Sequence, residues 1–236
     1  MDNRGFFYSK PNPAHPAQDV VFTFSNLTIP AKKNIDIPTA NPFKCYLYPP
    51  AFDKEKLPIP FLLPPGGSNL MNIVSMMPKL KEELRTIFND YGLKYVFDTN
   101  SQEIKVMKEK KPGEIFLIPF HSIADTLQRM IFYKAAIESN SESALVFEEP
   151  EAHSYPPFIS KVTQDIIQSD RNQFFITTHS PYVVNDFLEL PSDELAIYLV
   201  DFRNGETFVK RASDTEIQEM YEYGIDLFFN TETFLR

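Results

Sequence analysis

Two adjacent carboxylates end an apolar run in the middle of the chain, where residues 144–147 (Ala-Leu-Val-Phe) lead into Glu148 and Glu149. Side chains at successive positions diverge, so one carboxylate can reach a Mg²⁺ ion through a water while its neighbour faces an attacking water. Hydrolysis of a phosphoanhydride needs both functions. Two glutamates after a strand are more often a solvated loop, so the dipeptide needs support from other residues.

That support comes from a histidine after the next predicted strand, in the run Thr-Thr-His-Ser-Pro over residues 177–181. The imidazole of His179 can donate a hydrogen bond to a terminal phosphate. Alone, such a histidine is more often structural. His179 follows one predicted strand, and Glu148 and Glu149 follow the strand before it. The carboxyl ends of parallel strands open on one edge of a sheet, so this placement favours the functional interpretation.

A phosphate-binding loop of the form G-x-x-x-x-G-K-[ST] does not occur in the sequence. The loop matters because its backbone amides and lysine cradle the phosphates. The glycine pair Gly66-Gly67 follows two prolines and has no lysine at the required position. We therefore predict an ordinary turn there, leading into a helix that begins at Leu70.

Composition and charge exclude several classes of protein. The 236 residues are 43% hydrophobic and 23% charged, which is typical of a globular protein with one sizeable core. A formal net charge of −9 disfavours nonspecific attraction to nucleic acid or anionic lipid. Cys45 is the single cysteine and fits a reducing compartment. No apolar run approaches the roughly 18–20 residues that span a bilayer, and we predict a cytoplasmic protein without membrane contact.

Proline placement and hydrophobic periodicity divide the sequence into three predicted regions. Residues 1–65 carry much of the proline, which removes amide donors, so short extended pieces are predicted, including a strand at 20–24. Residues 66–120 combine helical spacing over 70–89, broken at Pro78, with three strands joined by hairpin turns. These strands are predicted at 94–97, 103–107 and 114–118.

Residues 121–236 alternate between helical and strand patterns. Such alternation is typical of an α/β fold with a mainly parallel sheet flanked by helices. The predicted helices are 122–138, 157–168, 182–188 and 214–223. The predicted strands are 144–147, 173–177, 195–200 and 207–210.

The combined motifs resemble those of a known family. Residues 145–153 (Leu-Val-Phe-Glu-Glu-Pro-Glu-Ala-His), with Pro156, and residues 175–181 resemble the Walker B, D-loop and His-switch segments of ABC-type ATPases. The pattern is most similar to stand-alone AAA-family ATP-binding proteins related to SMC, recombination-repair and OLD-type ATPases. The resemblance implies a partial P-loop NTPase lobe of the ABC type over residues 121–236, preceded by an antiparallel β and helical region.

The resemblance also implies roles for individual residues. Glu148 matches the Walker B acid that holds the Mg²⁺ shell, Glu149 the catalytic glutamate and His179 the switch histidine. Glu151 and His153 fall in the D-loop, which meets a second protomer beside the bound nucleotide.

The signature motif of the family is matched less well, by Ser122, Ala124 and Asp125. The family's glycine lets backbone amides approach the phosphate of the opposite protomer, whereas Ala124 or Asp125 stands here. An aspartate repels phosphate, although a helix N-terminus can still bind an anion. Ser122 is an equally good candidate for capping the following helix.

The resemblance implies Mg²⁺ and ATP as cofactors, and a homodimer or an N-terminal P-loop lobe as partner. In this family the P-loop lobe precedes the segments seen here, so the chain resembles the C-terminal part of a longer ATPase and is expected to be inactive alone. The resemblance implies that the full-length enzyme acts on DNA or in defence against phage, although no basic or aromatic pattern in this chain marks a nucleic-acid groove.

Two further functions remain open at this point. The first is a non-hydrolysing interaction or regulatory module that retains the fold. The second is a metal-dependent nuclease that uses the acidic cluster around Glu148 and Glu149. The three hypotheses differ in whether they require ATP, a divalent metal or neither.

Overall fold

The computed structural model describes residues 6–9, 42–52, 59–101, 103–191, 193–225, 227–228 and 230. The strands within these residues are β1 (Phe6–Ser9), β2 (Phe43–Tyr46), β3 (Lys94–Asp98), β4 (Glu103–Lys111), β5 (Glu114–Pro119), β6 (Ser143–Glu148), β7 (Asn172–Thr178), β8 (Ile197–Arg203) and β9 (Glu206–Arg211). The helices are α1 (Leu70–Met76), α2 (Pro78–Asp90), α3 (Asp125–Ser139), α4 (Pro156–Gln168), α5 (Pro181–Leu188) and α6 (Asp214–Tyr223).

A six-stranded sheet in the order β2-β6-β7-β1-β8-β9 forms the centre of the molecule. Strands β6 and β7 are parallel, as the alternation of helices and strands predicted, and β2 from the proline-rich region is parallel to β6. Strand β1 is antiparallel to both β7 and β8, and β9 is antiparallel to β8. The fold is therefore α/β, with a sheet that is parallel on one side and antiparallel on the other.

The proline-rich region contributes strands to this sheet. Strand β1 lies between β7 and β8, and β2 pairs with β6, so residues from 1–65 and 121–236 form one sheet. The strand predicted at 20–24 lies outside the described residues. The short extended pieces predicted for this region thus include two strands that obtain their hydrogen bonds from segments far along the chain.

One face of the six-stranded sheet is buried against the helices. Side chains alternate between faces along a strand, and those of one face are at most 4% exposed and share a core cluster with residues of α3, α4 and α5. These strand residues are Tyr46, Leu145, Phe147, Phe174, Ile176, Ile197 and Leu199. Burial of each such side chain contributes about 1.5–3 kcal/mol, and the resulting packing fixes the edge where β6 and β7 end.

The helices before the small sheet follow their predicted pattern. Pro78 begins α2 after Met77 adopts an extended conformation, so the expected break between two helices is confirmed. Proline is tolerated there because the first helical residue needs no amide donor. Leu80, Leu84 and Phe88 lie on one face of α2 and are buried.

The Gly66-Gly67 segment forms the predicted turn. Gly67 has φ +66°, its amide donates to the Leu63 carbonyl at 2.8 Å, and its carbonyl accepts from Leu70 at 2.9 Å. A Cβ at this position would lie 2.8 Å from Cε2 of Phe132. Both the left-handed conformation and the close approach of α3 require glycine.

The start of α3 differs from its prediction. Phe120–Ser122 forms a single 3-10 turn, Ile123 is extended, and α3 begins at Asp125 with Ala124 as its N-cap residue. No side chain caps this helix, so the expectation that Ser122 caps it is wrong. The extended Ile123, which lies between Ser122 and the N-cap residue, moves the serine hydroxyl away from the first amides of the helix.

The three-stranded sheet is an antiparallel meander in the order β3-β4-β5. The strands at 94–97, 103–107 and 114–118 are confirmed, and Pro112-Gly113 makes the second turn, with Gly113 at φ +83°. Strand β4 buries Ile104 and Val106 in the core. None of the helices in the described ranges combines the length and the apolar character that crossing a bilayer requires.

Candidate functional site

The carboxyl ends of β6 and β7 meet at one edge of the six-stranded sheet. Glu148 is the last residue of β6 and stands opposite Thr177 of β7. The parallel pairing continues one residue further, because the amide of Glu149 donates to the Thr177 carbonyl at 2.9 Å. The glutamate pair and the histidine that follows Thr178 are therefore held side by side.

Glu149 and His179 contact each other directly. Nε2 of His179 lies 3.2 Å from Oε1 of Glu149, and the two side chains are 45% and 46% exposed. A pair this exposed is screened by water and contributes little to stability, so its importance is geometric. It presents an acid and an imidazole together to solvent, which is the arrangement that an incoming phosphate and water require.

The backbone at Glu149 is unusual. Glu149 has φ +40° and His153 has φ +56°, a region that non-glycine residues occupy at a cost of about 1–2 kcal/mol. The carbonyl of Glu149 accepts from Ala152 at 2.9 Å, which closes a turn directly after the strand. The turn directs the Glu149 side chain away from the strand ladder and toward His179.

Glu148 lies apart from that pair. Its side chain is exposed, and its charge acts on Cys45, the residue that pairs with Val146 on the neighbouring strand. Burial raises the pKa of the Cys45 thiol, and the negative charge of Glu148 raises it further. The hydroxyl of Tyr133 donates to the Glu148 carbonyl at 3.4 Å. The two glutamates thus face different surroundings, as expected for successive side chains.

The donor set suits one kind of magnesium site. In the described part of the chain, no group of three or more His, Cys, Asp or Glu residues is arranged to hold a metal ion. Glu148 offers a single exposed carboxylate at the sheet edge. Mg²⁺ commonly binds through one or two carboxylates, several waters and substrate phosphates, so these residues fit a phosphate-bound Mg²⁺ better than a cage made only of protein.

Glu151 points inward from the loop after β6 (residues 149–155). Its Oε1 accepts from the Thr178 hydroxyl at 2.6 Å and from the His179 amide at 2.8 Å. His153, in contrast, is exposed. The loop therefore has one carboxylate engaged with the end of β7 and one imidazole open to solvent.

The signature-like stretch (residues 122–125) adjoins the same loop. Ser122, Ala124 and Asp125 are exposed, and Oδ2 of Asp125 accepts from Nε of Arg129 at 2.9 Å. The hydroxyl of Thr126 donates to the His153 carbonyl at 3.2 Å. The start of α3 is thus tied to the loop after β6.

The structure brings most of the predicted residues into one neighbourhood. Glu149 contacts the His179 side chain and Glu151 its backbone amide, and Glu148 precedes them on β6. Thr126, the residue after the signature-like stretch, is bonded to His153. Sequence reasoning missed the contributions of Thr126 and Tyr133, whose hydroxyls fasten the loop and strand from α3. Polar side chains on the sheet-facing side of a helix were the available signal.

A family model described as "AAA domain, putative AbiEii toxin, Type IV TA system" matches residues 53–185, more than half of the chain. The chain belongs to this AAA-domain family. The match includes the whole sheet edge from Glu148 to His179, whereas β1, β2, β8, β9 and α6 lie outside it.

Other comparisons add little to this assignment. A solved structure from work on the structural biochemistry of ATP-driven dimerization and DNA-stimulated activation of SMC ATPases is 14% identical and aligns with a TM-score of 0.43. The alignment covers 65% of this chain and 96% of that one. A similarity this weak carries no conclusion about function. No curated protein matches the AAA-domain chain.

Proposed function

We propose that this AAA domain supplies the acidic residues and the switch histidine of a Mg-ATP hydrolysing site. The observation that carries the proposal is the 3.2 Å contact between Nε2 of His179 and Oε1 of Glu149 at the edge where β6 and β7 end. Membership of the AAA-domain family supports ATP as the nucleotide. A solvent-facing acid beside an imidazole donor is the chemistry that attack of water on a terminal phosphate requires.

In the proposed mechanism Glu149 orients or deprotonates the attacking water. The contact of Nε2 with Glu149 places the imidazole beside the acid, and Nε2 would exchange Glu149 for an oxygen of the transferred phosphoryl group, to which it donates a hydrogen bond. Glu148 is the residue that would hold Mg²⁺, whose positive charge offsets that of the phosphates when it is bound. The half-exposed position of the acid and imidazole lets a nucleotide approach without unfolding of the loop.

The proposed site needs a phosphate cradle from outside this sequence. No G-x-x-x-x-G-K-[ST] occurs in the chain, so we propose that an N-terminal P-loop lobe completes it. A homodimer would then bring the signature-like stretch, with Ser122, Ala124 and Asp125, to the nucleotide of the opposite protomer. Arg129 partly neutralises Asp125 and so lessens the repulsion that phosphate would meet there.

Two loop residues have proposed roles in that dimer. His153, exposed in the loop after β6, would meet the second protomer, and Glu151 would support the loop from inside. DNA is proposed as a partner of the assembled enzyme only, because this chain carries a formal charge of −9.

The decisive experiment measures Mg-ATP hydrolysis by this chain alone and with a polypeptide that bears G-x-x-x-x-G-K-[ST], taken from the reading frame immediately upstream. We expect hydrolysis only in the mixture. Glu149→Gln should reduce it by at least 100-fold, because general-base catalysis contributes about 10²–10⁴-fold. Glu219→Gln, an equivalent change at an exposed site on α6, should leave the rate unchanged.

Other outcomes identify the competing functions. A stable dimer or partner complex that is indifferent to nucleotide and to Glu149→Gln would favour a non-hydrolysing interaction module. DNA cleavage that needs Mg²⁺ but no ATP, and that disappears when Glu148 and Glu149 are replaced, would favour a nuclease. Failure of every P-loop polypeptide to restore ATP hydrolysis would remove the proposed function.

A further inference from the structure

One carboxylate oxygen of Glu151 joins the loop after β6 to the end of β7. Oε1 accepts a hydrogen bond from the Thr178 hydroxyl at 2.6 Å and another from the His179 amide at 2.8 Å. The Thr178 hydroxyl oxygen accepts in turn from the Ser180 amide at 3.0 Å. Bonds to an ionised acceptor are stronger than neutral ones, so the backbone of residues 178–180 is fixed around this carboxylate.

The other end of the same side chain is equally well fixed. The loop after β6 is closed by the Ala152 amide donating to the Glu149 carbonyl at 2.9 Å and by the Ser154 amide donating to the Glu151 carbonyl at 2.8 Å. Glu149 and Glu151 therefore belong to one hydrogen-bonded turn. Glu151 therefore links the loop that carries Glu149 to the backbone amide of His179.

The second carboxylate oxygen of Glu151 indicates that the hydrogen bonds of Oε1 hold the side chain in place. Oε2 of Glu151 is buried and has no hydrogen-bond partner among the described residues. Burial of an unsatisfied acceptor is unfavourable, so the side chain would turn to solvent unless Oε1 held it inward. A carboxylate held inward in this way is poorly placed to contact a nucleotide or a second protomer.

We propose that Glu151 is a positioning residue for the switch histidine, an inference that rests on the proposed ATP-hydrolysing function. Its Oε1 fixes the Thr178 hydroxyl and the His179 amide, and so sets the imidazole 3.2 Å from Glu149. Glu151 acts through His179 and does not touch the phosphates. The loop that would face a second protomer is thereby coupled to the imidazole that would contact the phosphoryl group.

The test uses the full chain without nucleotide and measures how fast diethyl pyrocarbonate modifies each histidine, with peptide mass spectrometry as the readout. Loss of the Glu149 contact exposes Nε2 of His179, so Glu151→Ala should raise the modification rate of His179 several-fold. Glu149→Ala, which removes the partner of Nε2, sets the upper limit of that rise. His121 is exposed and lies outside the contact, so its rate serves as an internal control.

Conservative variants separate positioning from a general loss of structure. Glu151→Gln keeps an oxygen that can accept both hydrogen bonds, so the rate at His179 should stay near that of the native chain. Glu151→Asp has a carboxylate too short for the same geometry and should raise the rate. It also serves as the test if Glu151→Ala fails to fold, as judged by loss of cooperative thermal unfolding in circular dichroism.

An unchanged rate at His179 in folded Glu151→Ala or Glu151→Asp would overturn the proposal, as would equal rises in Glu151→Gln and Glu151→Ala. Because no nucleotide is present, the two proposals can fail separately. The expected reactivity pattern without ATP hydrolysis in any mixture would leave the positioning role and remove the proposed function. Restored hydrolysis with unchanged His179 reactivity would keep the proposed function and remove the positioning role.

Discussion

At the residue scale, the two adjacent glutamates have different tasks because their surroundings differ. Glu148 ends the strand and acts on the thiol of Cys45, while Glu149 turns at φ +40° toward His179. Side chains alternate along β6, so the position of the Glu148 side chain was expected. The orientation of Glu149 toward His179 depends on a left-handed backbone conformation, which glutamate rarely adopts.

Alkylation of Cys45 can report the charge of Glu148. The pKa of this thiol is raised, first by burial and then by Glu148, so at mildly alkaline pH the thiolate fraction is low and iodoacetamide should react slowly. Glu148→Gln removes the negative charge, lowers the pKa of Cys45 and should speed alkylation. Cys45 is the single cysteine, so mass spectrometry of the whole chain measures the rate directly.

Glu149→Gln is the matched control for this measurement. The carboxylate of Glu149 does not figure among the causes of the shift in the pKa of Cys45, so alkylation in this variant should match that of the native chain. Equal rates in the native chain and Glu148→Gln would show that Glu148 lies too far from the thiol.

Gly67 offers a second prediction at a single residue. Gly67→Ala introduces a Cβ 2.8 Å from the ring of Phe132 at φ +66°, and we expect a loss of about 2–4 kcal/mol in the free energy of unfolding. Gly92→Ala has nearly the same φ, +65°, with no atom within 4 Å of the new Cβ, so about 1 kcal/mol is expected. Urea denaturation measures both, and similar losses would mean that α3 moves aside.

At the element scale, Lys134 ties three helices together. The side chain of this lysine in α3 is 1% exposed and its Nζ pairs with Glu83 of α2 at 2.7 Å and with Asp165 of α4. The pKa of Asp165 is raised by burial, although Lys134 opposes the shift. A buried cation between two carboxylates holds the helices over the sheet in one arrangement.

Lys134→Met should lower the free energy of unfolding at neutral pH by about 3 kcal/mol, because two partly buried carboxylates lose their partner. Lys79→Met removes a 79% exposed lysine paired with Glu138 and should cost at most about 1 kcal/mol. Chemical denaturation of both variants compares them directly.

The loss in Lys134→Met should also depend on pH. The folded-state pKa of Asp165 lies above its unfolded value, so this group favours the folded state most below the unfolded pKa and loses that contribution as pH rises through the folded pKa. Removal of Lys134 raises the folded pKa further. The deficit should therefore shrink in acid, where Asp165 is protonated, and a deficit independent of pH would contradict this account.

The elements themselves were largely predictable, and the reasons are local. Helix α6 has its predicted ends, 214–223, and both have a local cause. Ser213 and Glu216 form a capping box at its start, and Gly224 ends it in the left-handed conformation. The break at Pro78 has an equally local cause. The start of α3 was not predictable, because an extended Ile123 between Ser122 and Asp125 has no sequence signal of its own.

The candidate site divides in the same way. Glu149 and His179 follow the carboxyl ends of two predicted parallel strands, which indicated that they would lie at one edge of the sheet. The structure places Oε1 of Glu149 3.2 Å from Nε2 of His179. The inward turn of Glu151 was not predictable from the sequence. It depends on the left-handed conformations of Glu149 and His153 on either side, and neither glutamate nor histidine predicts that conformation from sequence.

At the scale of the whole molecule, β1 links the two ends of the sequence. Its backbone pairs with β7 on one side and β8 on the other, so it completes the hydrogen bonding of both. Composition could not reveal this partnership, since short strands in a proline-rich region look alike whether they pair with neighbours or with distant segments.

Tyr8→Pro should disrupt the whole sheet, because proline in a central strand removes a ladder hydrogen bond. We expect loss of cooperative thermal unfolding by circular dichroism. Asp214→Pro is the control, since this residue begins α6, where no amide donor is needed and Ser213 is already extended. A cooperative transition at the native temperature in Tyr8→Pro would show that β7 and β8 stay together without β1.

The placement of β1 sets the order of events during synthesis. Phe6 pairs with Thr178 and Leu199, so this strand leaves the ribosome long before either of its neighbours exists. Contacts between such distant positions form slowly, because a long loop must close first. Strands β2, β6 and β7 can pair earlier, but β1 obtains hydrogen bonds on both sides only after translation has passed β8.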